Sequence, residues 1–121
     1  MIISFAWTSS VLMEGKKTVT RRQWTESYFK KWCGMFKRGL LIHQAYDKVP
    51  YAGGKKLCDI KLTHIPYKEK LKDMPESDVQ AEGGLWKDKK EFISLFGDPE
   101  MEVTVIRFKP ILKKEKSNAD S

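Results

Sequence analysis

The sequence predicts a small twisted β-barrel decorated with short helices, in the α+β class. The chain has 121 residues, which is enough for one domain with a single modest core. About five to six segments have the composition of strands, and they alternate with turns or with helices too short to build a doubly wound sheet. Because no linker or repeat divides the chain, we expect one domain over residues 1–112 and a disordered basic tail over 113–121.

The first elements surround a basic segment. Residues 2–7 are β-branched and aromatic and predict a strand. A cap at Ser9 or Ser10 and a stop at Gly15 predict a short helix after it. Residues 18–22 contain Thr-Val-Thr and predict a second strand.

A longer amphipathic helix follows the basic segment. Thr25 is a suitable N-cap for a helix over 26–37, and Gly39 closes it. Residues 40–46 predict a strand, and 50–54 predict a turn. The apolar residues of the helix recur at i, i+3, i+4 and i+7, and they are Phe29, Trp32, Cys33 and Phe36.

The second half alternates strands with short helices. Residues 56–65 alternate between apolar and polar side chains, which predicts a half-buried antiparallel strand. A capping box that begins at Asp73 predicts a short helix ending at Glu82, and another at Asp88 predicts the next helix. Residues 101–109 predict the last strand.

The net charge of +7 is unevenly distributed. Residues 1–60 hold 11 basic and 4 acidic side chains, whereas residues 61–121 hold 12 of each. A focused basic field attracts polyanions, of which phosphate backbones are the commonest. Charge that serves only solubility is the alternative interpretation.

Cysteine and histidine usage favours no metal and no disulfide framework. Cys33 and Cys58 are too few for a framework and suit a reducing cytoplasm. Together with His43 and His64 they form no C-x-x-C or H-x-x-x-H pair, so we expect no metal. We also expect no cofactor. The N-terminus MIISFAWTSS has no basic n-region and no long apolar run, so we expect no signal peptide and no membrane span.

The segment GKKTVTRRQW, residues 15–24, concentrates amines, hydroxyls and guanidinium groups. If it is extended, Thr18, Thr20 and Arg22 share one face, and Lys17 is free to bend towards either face. An amine near a hydroxyl is the minimum for an activated nucleophile, and an arginine fork binds phosphate or carboxylate. A solvated edge strand guarded by lysines is the alternative interpretation.

The stretch GKKTVTRR resembles the G-x-K-T-x-T-x-R signature of the ASCH domain family, which belongs to the PUA-like superfold. Other features follow in the expected order: the strand KLCDIKLTHI, then DVQAEGG, then a closing strand VTVIRF. The resemblance covers about residues 2–110. It implies a PUA-like β-barrel of about five to six strands in which the motif lines a cleft.

The resemblance also implies activities. ASCH domains are proposed RNA-binding modules, and one branch is similar to small amidohydrolases that remove an acyl group from N4-acetylcytidine. The lysine, threonine and glutamate that carry that reaction fall on Lys17, Thr20 and Glu82. Another branch is reported to cleave RNA, and the closing arginine of the motif falls on Arg22.

In the enzyme hypothesis, Lys17 takes the proton of Thr20, which attacks the acyl carbon. Glu82 then serves the leaving amine or the hydrolytic water. Glu82 lies at the end of its predicted helix, where the macrodipole disfavours an anion by about 0.3–1 kcal/mol, and this suits a proton-transfer role.

Our first prediction is a binding module for RNA, a nucleotide or a modified nucleoside. The alternative is a hydrolase at the same cleft, acting either on an N4-acetylcytidine-like nucleoside or on RNA. The basic residue at position 21 and the aromatic helix after the motif depart from the amidohydrolase branch and leave the substrate open. A monomer and a weak dimer both fit the sequence. The predicted ligand-binding residues are Lys16, Thr18, Arg21, Arg22, Trp24 and Trp7.

Overall fold

The computed structural model describes residues 1–112, which form a mixed α/β fold with one six-stranded sheet and a few short helices. The predicted tail lies outside the described residues. The strands are β1 (Ile2–Ser4), β2 (Val19–Arg22), β3 (Ile42–Tyr46), β4 (Lys56–Leu62), β5 (Tyr67–Lys70) and β6 (Glu102–Ile111). The α-helices are α1 (Ser9–Met13), α2 (Glu26–Lys37), α3 (Asp78–Ala81) and α4 (Lys89–Ser94). Single 3₁₀ turns lie at Ala6–Thr8, Pro50–Ala52 and Leu71–Asp73.

The sheet has the order β1-β3-β4-β6-β2, and β5 also pairs with β6. Only β1 and β3 are parallel, with Ile3 opposite Ala45. All other pairs are antiparallel. β1 and β2 lie at the two ends of this order, and β5, which pairs with β6 alone among the described strands, is a further edge strand.

β6 pairs with three other strands of the sheet. β2 borders it on one side, and β4 and β5 follow one another along the other side. Leu62 pairs with Phe108 and Tyr67 pairs with Val105, so residues 63–66 bulge opposite residues 106 and 107. The strand predicted over 56–65 therefore ends three residues early, at Leu62.

The main core lies between α2 and the sheet. Thr25 caps α2 as predicted, because its hydroxyl accepts a hydrogen bond from the amide of Tyr28 at 3.2 Å. Trp32 is fully buried, while Phe29, Cys33 and Phe36 are only half-buried. The alternation of β4 is confirmed. The buried residues of this core include Ile3, Phe5, Leu12, Trp32, Ile60, Leu62, Ile106 and Phe108.

A second, smaller apolar cluster lies under α3 and α4. The predicted cap at Asp88 is confirmed, since its carboxylate accepts a hydrogen bond from the amide of Glu91 at 2.9 Å. The buried residues of this cluster are Leu71, Met74, Val79, Trp86, Phe92 and Val103. Within residues 1–112, no helix combines the length and the apolar character needed to cross a membrane.

Other predicted boundaries also differ from the structure. The first strand ends at Ser4 because Ala6 turns the backbone to a φ of +47° and starts a 3₁₀ turn. The third begins at Ile42 rather than at residue 40. The capping box at Asp73 does not form, because Met74 precedes a proline and is extended, with a ψ of +130°. The helix begins only at Asp78.

Candidate functional site

A cavity of about 290 Å³ lies at the gap between the end of β1 and β2, the two ends of the sheet order. One wall is the chain after β1, residues 4–8, and the opposite wall comes from β2 and the segment before it. The remaining wall belongs to α4 and the second apolar cluster. We call it the edge cavity, and its polar lining residues include Lys17, Thr20, Arg21, Arg22 and Glu82.

The turn after α1 delivers Lys17 to the cavity. Gly15 ends α1 with a φ of +77°, a conformation that suits glycine. The amides of Lys16 and Lys17 then return to the carbonyl of Val11, at 3.0 and 3.3 Å. The amide of Thr18 donates to the carbonyl of Ala81 at 2.7 Å, so this segment runs directly beside the end of α3.

The Lys17 amine and the Glu82 carboxylate form a buried ion pair. Lys17 Nζ lies 2.7 Å from Glu82 Oε1 and also donates to the carbonyl oxygen of Glu82 at 3.0 Å. Each side chain is 3% exposed. Glu82 is the C-cap of α3, which confirms the prediction that it lies at the end of this helix. Gly83, the next residue, has a φ of +130°. A side chain at position 83 would collide with Val11, since a Cβ there would lie 2.8 Å from Val11 Cγ2.

Arg21 holds the other carboxylate oxygen of Glu82, with Nη1 donating to Oε2 at 2.9 Å. Its remaining donors reach Glu69 Oε1, at 3.2 Å from Nε and 3.0 Å from Nη2, and also the carboxylate of Asp78. Asp78 in turn accepts two hydrogen bonds from Arg107, at 3.1 and 2.7 Å. We call this network the Arg21 cluster; its members are Lys17, Arg21, Glu69, Asp78, Glu82 and Arg107.

Sequence reasoning missed three members of the cluster, namely Glu69, Asp78 and Arg107. The available signal concerned Arg107 alone, which interrupts the apolar part of β6 between Ile106 and Phe108. Burial raises the pKa of Asp78, but the hydrogen bonds from Arg107 and Arg21 outweigh it and hold the pKa below its usual range.

Thr20 and Arg22 form a second polar pair in the cavity. The Thr20 hydroxyl accepts a hydrogen bond from Arg22 Nε at 3.1 Å, and Arg22 Nη2 donates to the carbonyl of Ser4 at 2.7 Å. The guanidinium carbon lies 5.3 Å from the ring centroid of Phe5, within the range of a cation–π contact. Arg22 thus ties β2 to the end of β1 across the gap.

Arg22 differs from the other cationic residues of the cavity in having no carboxylate partner within residues 1–112. Lys17 and Arg21 are both paired with Glu82. Arg22 uses only neutral acceptors, Thr20 and Ser4. Burial lowers the pKa of Arg22, which indicates a poorly hydrated cation that an anionic or carbonyl group would stabilise.

The environment of Lys17 shifts the pKa of its amine. Burial lowers the pKa of Lys17 below the usual lysine value, although the adjacent Glu82 carboxylate raises it. The positive charges of Arg22 and Arg21 lower it further. No hydrogen bond joins Lys17 to Thr20 in the described part of the chain; the two residues share only the cavity.

The other predicted ligand-binding residues divide into two groups. Trp7 lines the edge cavity and is 63% exposed. Lys16 and Thr18 do not line it: both are exposed, and Lys16 pairs with Glu14 at 3.1 Å. Trp24 does not line it either, because its ring packs 4.9 Å from that of Trp32, on the main core.

Within residues 1–112, no cluster of three or more histidine, cysteine or acidic side chains has the arrangement of a metal site. Comparisons with protein-family models, with curated proteins and with solved structures each found no match. The function of this chain is therefore inferred from the edge cavity and from its own sequence.

Proposed function

We propose that this chain is an ASCH-type domain that binds RNA, a nucleotide or a modified nucleoside in the edge cavity. The segment GKKTVTRR, which carries the resemblance, supplies Lys17, Thr20, Arg21 and Arg22 to the cavity. We further propose that the sheet is a PUA-like barrel closed between β1 and β2. The hydrogen bond from Arg22 to Ser4 across that gap supports this closure.

The observation that carries the proposal is the composition of the cavity. The Arg22 guanidinium, which has no carboxylate partner among residues 1–112, and the Thr20 hydroxyl share it with the aromatic side chains of Phe5, Trp7 and Trp86. A volume of about 290 Å³ suits one nucleoside unit and is too small for a duplex. Proteins recognise single-stranded RNA through its unstacked bases, each of which has an aromatic face and a hydrogen-bonding edge. The aromatic and polar side chains of the cavity match these two features.

Calorimetric titration with cytidine, uridine and a short single-stranded oligoribonucleotide tests this proposal. We expect Arg22→Gln to weaken binding about 10- to 150-fold, because a hydrogen bond to a charged group contributes about 1.5–3 kcal/mol. Arg22→Lys should recover part of the loss. The matched control is Arg38→Gln, an exposed arginine at the end of α2 that should bind as the wild type does. Equal affinities for Arg22→Gln and wild type would contradict the proposal.

A second candidate function, hydrolysis of an acylated nucleoside, is favoured by one observation. A buried lysine with a lowered pKa and a threonine line the same cavity. In this reaction the Lys17 ammonium first passes a proton to the Glu82 carboxylate, and the amine that results takes the proton of Thr20 while Thr20 Oγ bonds to the acyl carbon. The amide C–N bond breaks, the leaving nitrogen takes the proton, and water hydrolyses the acyl ester to regenerate Thr20.

The two candidates are separated by following N4-acetylcytidine chromatographically in the presence of the protein. A hydrolase should release cytidine and acetate, and both Thr20→Val and Lys17→Met should lower the rate by orders of magnitude. A binding module should release neither product. In that case Thr20→Val should change affinity only about 2- to 13-fold, the amount expected for one neutral hydrogen bond of about 0.5–1.5 kcal/mol.

A further inference from the structure

Trp7 is exposed in a way that the fold does not explain. It is 63% exposed, whereas Trp32 is fully buried and Trp86 is 8% exposed. A large aromatic side chain left open at the mouth of a cavity is a common anchor for ligands, because aromatic rings carry much of the binding energy of such sites.

The geometry of Trp7 leaves ring surface available inside the edge cavity. Its ring lies 5.5 Å from that of Trp86, centroid to centroid, with an angle of 73° between the planes. The two rings therefore meet edge to face and do not stack. Trp86 is held in turn by an edge-to-face contact with Phe92 at 4.7 Å, so the support behind Trp7 is rigidly packed.

The backbone before Trp7 is strained. Ala6 has a φ of +47°, the one positive value at a non-glycine residue within residues 1–112. Its amide donates to the carbonyl of Asp47 at 2.8 Å, and its carbonyl accepts from the Ser9 hydroxyl at 2.6 Å. Such conformations persist where the surroundings enforce them, and they cluster at functional sites. Here the strained residue fixes where Trp7 projects.

The polar groups of the cavity are more deeply buried than the Trp7 ring. Thr20 is buried, and Arg22 is tied to the carbonyl of Ser4. A ligand that satisfies both regions needs a flat apolar face for Trp7 and a polar edge for Thr20 and Arg22. Nucleobases have this combination, whereas sugars and phosphates lack the flat face.

We propose that Trp7 is the stacking residue of the edge cavity and that the site selects a planar heteroaromatic ring. The ring stacks on Trp7 and directs its hydrogen-bonding edge towards Thr20 and Arg22. This inference rests on the proposed function and makes it more specific. The site recognises the base of the ligand, and a ribose or a phosphate alone does not bind in its place.

Uridine and 5,6-dihydrouridine test the inference, because they share a polar edge and differ in the planarity of the ring. Stacking of one base on an aromatic residue corresponds to about 5- to 150-fold in affinity. We expect wild-type protein to prefer uridine by a factor in this range and Trp7→Ala to lose that preference. Trp7→Phe should keep most of it.

Tyr51→Ala is the matched control, since Tyr51 is a 93% exposed aromatic residue in a turn outside the cavity. It should bind as the wild type does. Circular dichroism should show that all variants remain folded. If uridine binding depends on Arg22 but is the same for wild type and Trp7→Ala, the stacking inference is wrong and the proposed function stands. If neither nucleoside binds to wild type, the stacking inference is wrong, and the proposed function is wrong as well if cytidine and the oligoribonucleotide also fail to bind.

Discussion

The molecule has two interiors of opposite character. The main core, between α2 and the sheet, is filled by aliphatic and aromatic side chains such as Ile60 and Phe108. The Arg21 cluster instead buries charged groups, with the side chains of Arg21, Asp78 and Glu82 no more than 7% exposed. Apolar burial stabilises a fold directly, whereas a buried ion pair roughly cancels its own desolvation cost. The first interior therefore accounts for stability, and the second calls for a functional explanation.

The largest expected effect comes from leaving a charge without its partner in the second interior. Glu82→Ala removes the carboxylate that holds Lys17 and Arg21, and we expect a loss of about 3–5 kcal/mol in the free energy of unfolding. Urea denaturation measures it. The control Glu102→Ala, at the exposed start of β6, should change stability by less than about 0.5 kcal/mol. A similar value for Glu82→Ala would mean that the ion pair is not formed in solution.

Removing both charges of the pair sharpens the comparison. The double variant Lys17→Met with Glu82→Leu replaces the pair by apolar groups, as in the first interior. We expect it to be more stable than the sum of the two single variants predicts, because neither charge is then left without its partner. Losses that simply add, measured in the same urea experiment, would show that the two side chains do not interact.

The main core contains its own pH-sensitive group. Burial, together with the charge of the N-terminal amine, lowers the pKa of His43 from 6.5 to about 4. Because the unfolded chain binds the proton more tightly, stability should fall as the pH drops from 6.5 to about 4, by up to about 1.4 kcal/mol per pH unit. His43→Phe should reduce this slope, whereas His64→Phe, at an exposed position, should keep it. An unchanged slope in His43→Phe would contradict the burial of a neutral imidazole.

The smallest expected effect belongs to a conservative change in the main core. Ile60→Val deletes one buried methylene and should cost about 0.5–1.5 kcal/mol of stability. Because Ile60 does not line the edge cavity, uridine affinity measured by calorimetry should stay at the wild-type value. A change in affinity would show that the two interiors are coupled.

Helices and strands were predicted correctly where a local signal, such as an N-cap or an apolar–polar alternation, sets them. The cap at Thr25 and the alternation of β4 are both confirmed. The prediction at Asp73 failed because Pro75 forces the residue before it into an extended conformation. Capping-box spacing alone does not contain that restriction.

The site was predictable only in part, because its contacts are distant in sequence. The motif and the resemblance singled out Lys17, Thr20 and Glu82, and the first and last of these are separated by 65 positions. Arg21 contacts Asp78 and Glu69, which are 57 and 48 positions away in the sequence. The periodicity of a helix or strand does not predict contacts between residues so far apart in the sequence. Trp24 and Trp7 were both predicted to bind the ligand, yet Trp24 packs on the main core and Trp7 lines the cavity.

The central claim is that the edge cavity is the ligand site, and mapping amide chemical shifts by NMR during a uridine titration tests it most directly. The account predicts shifts concentrated at residues 4–8 and 20–22 and at Glu82, and in Arg22→Gln the same shifts should require about 10- to 150-fold more uridine. A larger groove of about 560 Å³, lined in part by Lys72, Lys90 and Ile93, shares no lining residue with the edge cavity. Shifts centred on that groove, or spread evenly over the basic surface, would contradict the account.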